Sequence, residues 1–254
     1  MENNKFKTGA IPSIPDDRDY QLDQYISCVS HLPNSFVSNI PFDIFDQGDS
    51  NECVACSLAL IRYIQEYNQS NNRNQFSPSY IYGNRDDDMY LGEGMSPREA
   101  LKIVKNYGVA LYKELPGFYS VEDAMEICKK HLQTLNESAY QFRISSYYSV
   151  SGISGIKNAV YKLNAVTAMF PVFDCLNDAE SDGKVKYSLE TSRINYGNHQ
   201  MTIIGWTENK EWIVANSWGK SYGDNGIIYI PFEYPIIESW AIVDNILEKK
   251  FILS

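Results

Sequence analysis

Apolar positions in the first half of the chain recur at helical spacing, whereas in the second half they gather into short runs. From Cys53 the residues Val54, Leu58, Ile61 and Ile64 share one helical face, which should end before the polar stretch 68–75. Ser96, Pro97 and Glu99 make a capping box with proline at the first helical position, and Leu101 and Val104 carry the apolar face as far as Tyr107 and Gly108. Ser120 and Asp123 cap another helix, predicted to run to about Gln133. Beyond about residue 140, Ala165–Phe173, Gln200–Trp206, Glu211–Asn216 and Gly226–Ile230 read as strands separated by Asn, Gly and Lys turns. Helices followed by strands predict an α+β fold of two segregated lobes with a substrate cleft between them. The expected organisation is a polar, proline-bearing N-terminal extension at 1–31, a mainly helical lobe at 32–139 and a β-rich lobe at 140–254.

Composition narrows the partners. The chain has 254 residues, 44% of them apolar, enough for a large core, and a formal charge of -10. Nucleic acid and anionic membrane surfaces both require basic patches, so neither is an expected partner. No run of 18 apolar residues is present and the N-terminus lacks the apolar core of a secretory signal, so the expected location is cytoplasmic as synthesised. The five cysteines, at 28, 53, 56, 128 and 175, show no disulfide framework. Cys53 and Cys56 form a CxxC pair with no further ligand nearby, so neither metal nor cofactor is expected, and Cys56, Cys128 and Cys175 read as small buried hydrophobes.

The candidate chemistry lies in three segments. Gln47 stands six positions ahead of Cys53, a spacing that lets its amide donate to an oxyanion formed when the Cys53 thiol attacks a carbonyl. Cys53 in the first turn of a helix would have its thiolate favoured by free backbone N–H groups and the helix dipole. His199 opens a strand, and Asn216, 17 residues on, would orient its imidazole from the neighbouring strand. The other two histidines fit less well, since His131 lies on a charged helical face and His31 beside a segment boundary.

With Asp-Gln-Gly, the Cys53 helix, Asn-His and Asn-Ser-Trp-Gly in order, the chain resembles the papain family of cysteine peptidases, most closely its short-proregion bacterial and viral branch. SPSYIYGNR (77–85) and EGMSPREALKIVKNYGV (93–109) extend the resemblance, which runs from about Ile14 to about Trp240. It implies a helical left lobe, an antiparallel β-barrel-like right lobe and a peptide or protein substrate in the cleft. Peptide bonds would be hydrolysed through a Cys53/His199 pair, a Gln47 oxyanion hole and a thioester, with Trp218 shielding the Asn216–His199 hydrogen bond. It further implies that Gly94 pairs by its backbone with an extended peptide, and that Met95, Met169 and Gln200 line the pocket for the second residue before the scissile bond. Met169 reads equally well as strand core. Virion association or non-classical export joins the expected locations. The chain departs from papain at Val54, where papain has Trp, at Glu52, where Ser is common, and at Ser50, where secretory relatives carry a disulfide cysteine; PFEYPIIESW leaves the pocket floor unaligned. An acyl transferase of the same fold and a catalytically silent binding protein are the alternative functions. Residues 1–31 are too few for a long helical proregion, and the extended IPSIPDDRDY stretch reads either as an inhibitory strap over the cleft or as a surface tie.

Overall fold

The computed structural model describes residues 6–40, 43–86, 92–179, 181–190 and 194–244. In chain order its elements are β1 (Phe36–Val37), α1 (Cys53–Ser70), α2 (Pro78–Gly83), α3 (Pro97–Asn106), α4 (Val121–Lys130), α5 (Leu132–Ala139), β2 (Ile144–Ser149), α6 (Gly152–Leu163), β3 (Val166–Phe173), α7 (Asp174–Asn177), β4 (Asn195–Trp206), β5 (Glu211–Ala215), β6 (Ile227–Pro231) and β7 (Glu238–Asp244). This is the α+β order expected, with α6 inserted between β2 and β3.

The helix α1 is buried on every side from Cys53 to Gln65, as befits a central helix. It ends where Asn71 adopts a left-handed conformation and donates to Tyr67 O. Its polar residues are spent on fixing it to the sheet: Arg62 Nη1 donates to Asp244 Oδ2 at 2.9 Å, and Gln65 Nε2 donates to Ile242 O at 2.9 Å. Ser96 caps α3 by accepting from Glu99 N, with Pro97 in its first turn, and Ser120 caps α4 by accepting from Asp123 N. The single helix expected to Gln133 is instead two, broken at His131 (φ -111°, ψ 21°). The break redirects α5, so that Leu135 and Ala139 pack in a small cluster with Tyr80, Ala110, Leu115 and Cys128.

Strands β2-β7-β3-β4-β5-β6 follow one another across a seven-stranded antiparallel sheet, and β1 pairs with β4 beside that path. Among the described residues the edge strands β2 and β6 do not pair with each other, so the barrel-like right lobe expected is an antiparallel sheet that does not close. Across the sheet, Glu238 on β7, Met169 on β3 and Gln200 on β4 stand level with one another. Between helix and sheet, Ser57 Oγ lies 2.7 Å from Thr167 Oγ1 and 2.8 Å from Thr202 Oγ1, a dry hydroxyl cluster that fixes α1 on β3 and β4. None of the five cysteines is joined in a disulfide; Cys56 and Cys128 are buried as expected, but Cys175 is only half-buried.

Candidate active site

Cys53 begins α1, wholly buried, and its thiol takes a hydrogen bond from the backbone N–H of Gln200, the residue after His199. The helix has therefore been laid against the β4 segment that carries the histidine. His199 Nε2 lies 2.7 Å from Asn216 Oδ1, while among the described residues His199 Nδ1 has no hydrogen-bond partner. Asn216 follows β5, adjacent to β4, so His199 and Asn216 stand on neighbouring strands. Asn216 Oδ1 also accepts from Ser217 N at 2.6 Å, which sets the amide's orientation. The Trp218 ring stacks on the imidazole, with centroids 4.3 Å apart and planes 22° from parallel.

Gln47 is brought to the same place by main-chain pairing with the 216–218 segment: Gln47 N donates to Ser217 O at 2.9 Å, and Ser217 Oγ donates to Gln47 Oε1 at 2.6 Å. One amide hydrogen goes to Ser50 O at 2.7 Å, which leaves the second for a ligand. Sequence spacing alone did not disclose Ser217, whose hydroxyl fixes which way the Gln47 amide points.

The substrate-side residues differ in part from expectation. Gly94 does not offer its backbone to a peptide, because its N–H donates to Tyr82 Oη at 2.8 Å and its carbonyl accepts from Arg85. The pairing falls one residue later. Met95 N donates to Gly9 O at 3.0 Å, and Ile11 N donates to Met95 O at 3.1 Å. Met95 and Met169 are buried in one apolar cluster together with Ala10 of the N-terminal extension. Gln200 is not a polar handle at the pocket, since its Nε2 donates to Thr167 Oγ1 at 2.6 Å in the hydroxyl cluster. Glu238, which the sequence did not single out, is half-buried and level with Met169; its Oε1 accepts from Ser13 N at 2.8 Å and its Oε2 accepts from Trp240 Nε1 at 2.9 Å. Only its register on β7 discloses it.

The N-terminal extension crosses the cleft directly above these groups. Phe6 stacks on the face of Trp218 at 4.6 Å, and Trp218 Nε1 donates to Lys7 O at 2.9 Å. Ala10 N donates to Asn198 O at 3.2 Å, beside His199, while Gly9 rests on Asn51, two residues before Cys53. Further along, Arg98 holds the strap by pairing with Asp19 and donating to Ile14 O. Residues 20–26 then join the sheet side, where Ser149 N donates to Tyr20 O at 2.9 Å and Leu22 and Ile26 are buried in the right-lobe core. Under this cover burial drives the Cys53 thiol up to about 12 and the His199 imidazole down to about 4. The closed site therefore holds a neutral thiol and a neutral imidazole.

A buried thiol at a helix N-terminus is thus set beside a strand-borne histidine and asparagine between two lobes. Residues 42–235 match the papain family cysteine protease profile, and the chain belongs to that family. An uncharacterized peptidase C1-like protein of Acanthamoeba polyphaga mimivirus is 27% identical over 213 residues, 77% of this chain and 66% of that protein. A gut-specific cysteine proteinase of Caenorhabditis elegans is 31% identical over 106 residues, 41% of this chain and 31% of its own. The chain thus spans two thirds or less of the length of these relatives. Among solved structures, xylellain, a cysteine protease from Xylella fastidiosa, superposes with a TM-score of 0.82 at 22% identity, over 96% of this chain and 98% of its own. A procathepsin B from Trypanosoma congolense does so at 0.64 and 19% identity, over 93% and 85%. Among the described residues, no helix is long and apolar enough to cross a membrane.

Proposed function

We propose that the chain hydrolyses peptide bonds through Cys53 and is held inactive by its own residues 6–14. The observation that carries the reading is the 2.7 Å Asn216–His199 bond, which leaves Nδ1 unpaired on the β4 segment against which the Cys53 thiol lies. With the strap displaced, water enters, the penalty on charge falls, and Cys53 gives its proton to His199 Nδ1. The thiolate attacks the scissile carbonyl. The oxyanion takes the second Gln47 Nε2 hydrogen and the Cys53 backbone N–H, which has no partner within its helix, at about 3 kcal/mol of transition-state stabilisation per donor. His199 then protonates the leaving amine, and water, deprotonated by the same imidazole, opens the thioester.

The strap supplies the reading for residues 1–31: 6–14 block, and 20–26 are part of the core. Inhibition and structural support, alternatives in the sequence, thus fall to successive stretches of one segment. Cutting between them, near the exposed turn at Asp17 and Arg18, should release activity without removing Leu22 and Ile26. At the substrate pocket, Met95 and Met169 supply apolar walls, and Glu238, which the strap covers, favours a basic side chain at the second residue before the scissile bond.

The test is a fluorogenic peptide and a generic thiol-directed epoxide, applied to a 15–254 chain. Cys53→Ala should abolish hydrolysis and labelling. Retained hydrolysis in Cys53→Ala with loss in Cys56→Ala would assign the nucleophile to the next turn instead.

A further inference from the structure

Glu52 immediately precedes the proposed nucleophile and is wholly buried, and among the described residues no cation pairs with it. Its side chain does not cap α1. It turns towards α2 and the following loop, where Tyr119 N donates to Oε1 at 2.8 Å and Ser79 Oγ lies 2.9 Å from both carboxyl oxygens. Ser79 Oγ is also 2.9 Å from Gly117 O.

The protons do not suffice for an ionised carboxylate. Ser79 has one hydroxyl hydrogen and the Gly117 carbonyl can only accept. If Ser79 donates to a carboxylate, Gly117 O loses its donor; if it donates to Gly117, its lone pairs face the anion. One proton on Glu52 satisfies every atom.

We propose that Glu52 is a positioning residue that acts as a neutral carboxylic acid: its O–H donates to Ser79 Oγ, Ser79 donates to Gly117 O, and this relay fixes the start of α1, and so Cys53, against α2 and the 117–119 loop. The role assigned to Cys53 rests on the peptidase reading; the relay itself does not. The surroundings agree. Cys53 and Cys56 lie on the same helix, Tyr82 on α2 beside Ser79, Glu93 in the loop before α3, Tyr119 in the facing loop and Cys128 on α4, so the titratable neighbours are acids and none favours the anion. Burial, reinforced by the Glu93 carboxylate, pushes Glu52 up to about 8. Neutrality also serves the nucleophile. The N–H of Val54 remains for the Cys53 sulfur and that of Cys53 for the oxyanion, whereas an anion at 52 would compete for the positive end of the helix.

The linkage has a definite sign. A carboxyl held above its ordinary value of 4.5 gives stability that is complete below that value and is lost as pH rises towards about 8. Glu52→Gln presents the same donor and acceptor as the neutral acid and does not titrate. Three readouts test the relay. The Glu52→Gln melting temperature, measured against that of the unsubstituted chain, should gain roughly 5 °C or more between pH 5 and pH 9. Difference infrared spectra of the two full-length chains should show a protonated-carboxyl stretch at pH 6 that is lost by pH 9. In the 15–254 chain, Glu52→Gln should keep the neutral-pH rate within about threefold and move only the alkaline limb upward. A Glu52→Gln chain that does not fold, a pH-independent difference in melting temperature, or no protonated-carboxyl band overturns the relay. An unmoved alkaline limb overturns the positioning role. If the strap-free chain hydrolyses no peptide, the peptidase reading fails while the melting and infrared measurements still decide the relay.

Discussion

Gly9 packs tightly against Asn51, two residues before Cys53, and substituting it should switch the full-length chain on. A Cβ on Gly9 would overlap the Asn51 carbonyl oxygen and lie 2.8 Å from the carbonyl carbon and 2.9 Å from Asn51 Cβ. Those are closer than real Cβ contacts come, and two of the atoms are backbone that cannot swing aside, so in Gly9→Ala the strap must lift. Lifting it here gives up a long hydrogen bond from Gly9 N to Asn198 O and three shorter ones, Ala10 N to Asn198 O, Met95 N to Gly9 O and Ile11 N to Met95 O, of which the three shorter dominate. At about 1 kcal/mol net each, closure loses about 3 kcal/mol. That lies in the range of about 1–3 kcal/mol usual for overpacking a tight site. If turnover by the full chain reflects the fraction of open molecules, its rate should rise roughly tenfold to a hundredfold, up to the ceiling set by the 15–254 chain. The assay is initial-rate hydrolysis of one fluorogenic peptide by the full-length, Gly9→Ala and 15–254 chains, each shown by calorimetry to be folded. A Gly9→Ala chain as slow as the unsubstituted one, beside a fast 15–254 chain, would refute the argument for Gly9; equal rates in all three would remove the blocking role of residues 6–14.

Arg98 clamps the strap from α3 by pairing with Asp19 and donating to Ile14 O, so Arg98→Ala should accelerate the full-length chain and leave the 15–254 chain, which lacks Ile14, nearly unchanged in kcat. Closure holds the Cys53 thiol near 12 and the His199 imidazole near 4, so iodoacetamide should label Cys53 slowly at pH 5–8 in the full chain and rapidly in the 15–254 chain, read by peptide mapping. The sign for His199 is that of a base depressed below its ordinary 6.5: stability of the closed form is complete above that value and is lost as pH falls towards 4, so acid should favour opening, seen as faster labelling of the full chain at pH 5 than its thiol alone would give. Glu238→Gln should reduce the ratio of kcat/KM for arginine over leucine at the second residue before the scissile bond by about tenfold or more, the worth of one hydrogen bond to a charged group; an unchanged ratio would place the pocket floor elsewhere.

What could be read in the sequence was what is encoded locally. The starts of α1 and α3 were legible because a helical apolar period coincides with Ser96 and Pro97 in one case and with the Gln47–Cys53 spacing in the other. The four strands called lie within two residues of β3, β5 and β6 at either end, and inside β4, which begins five residues earlier. α6 went unread because GISGIKNAVYKL carries two glycines that weaken its helical signal, and β2 because ISSYYS is mostly half-buried and lacks clear alternation. β7 begins in the stretch that departs from the family pattern, and Glu238, its first residue, lies there. The one-residue slip from Met95 to Gly94 has a tertiary cause, since only the fold brings the Tyr82 hydroxyl to the Gly94 N–H. Likewise the outward-looking assignment of Gln200 could not foresee Thr167, 33 positions away, taking its amide.

The stack of Phe6 on Trp218 gives the molecule an optical reporter of its own state. Trp218 lies between the imidazole of His199 on one face and Phe6 on the other, with its indole N–H bound to Lys7 O. Trp206 and Trp212 are sunk in the right-lobe core, away from the strap, and contribute a constant background. Lifting residues 6–14 therefore exposes one face and the N–H of a single cleft indole to water, so emission should shift to the red as the cleft opens, with Trp240, under Arg98, the second indole near the moving segment. Opening can thus be followed in real time on the unlabelled chain, in a Cys53→Ala background where no peptide is cut, which separates the movement of the strap from the chemistry it conceals.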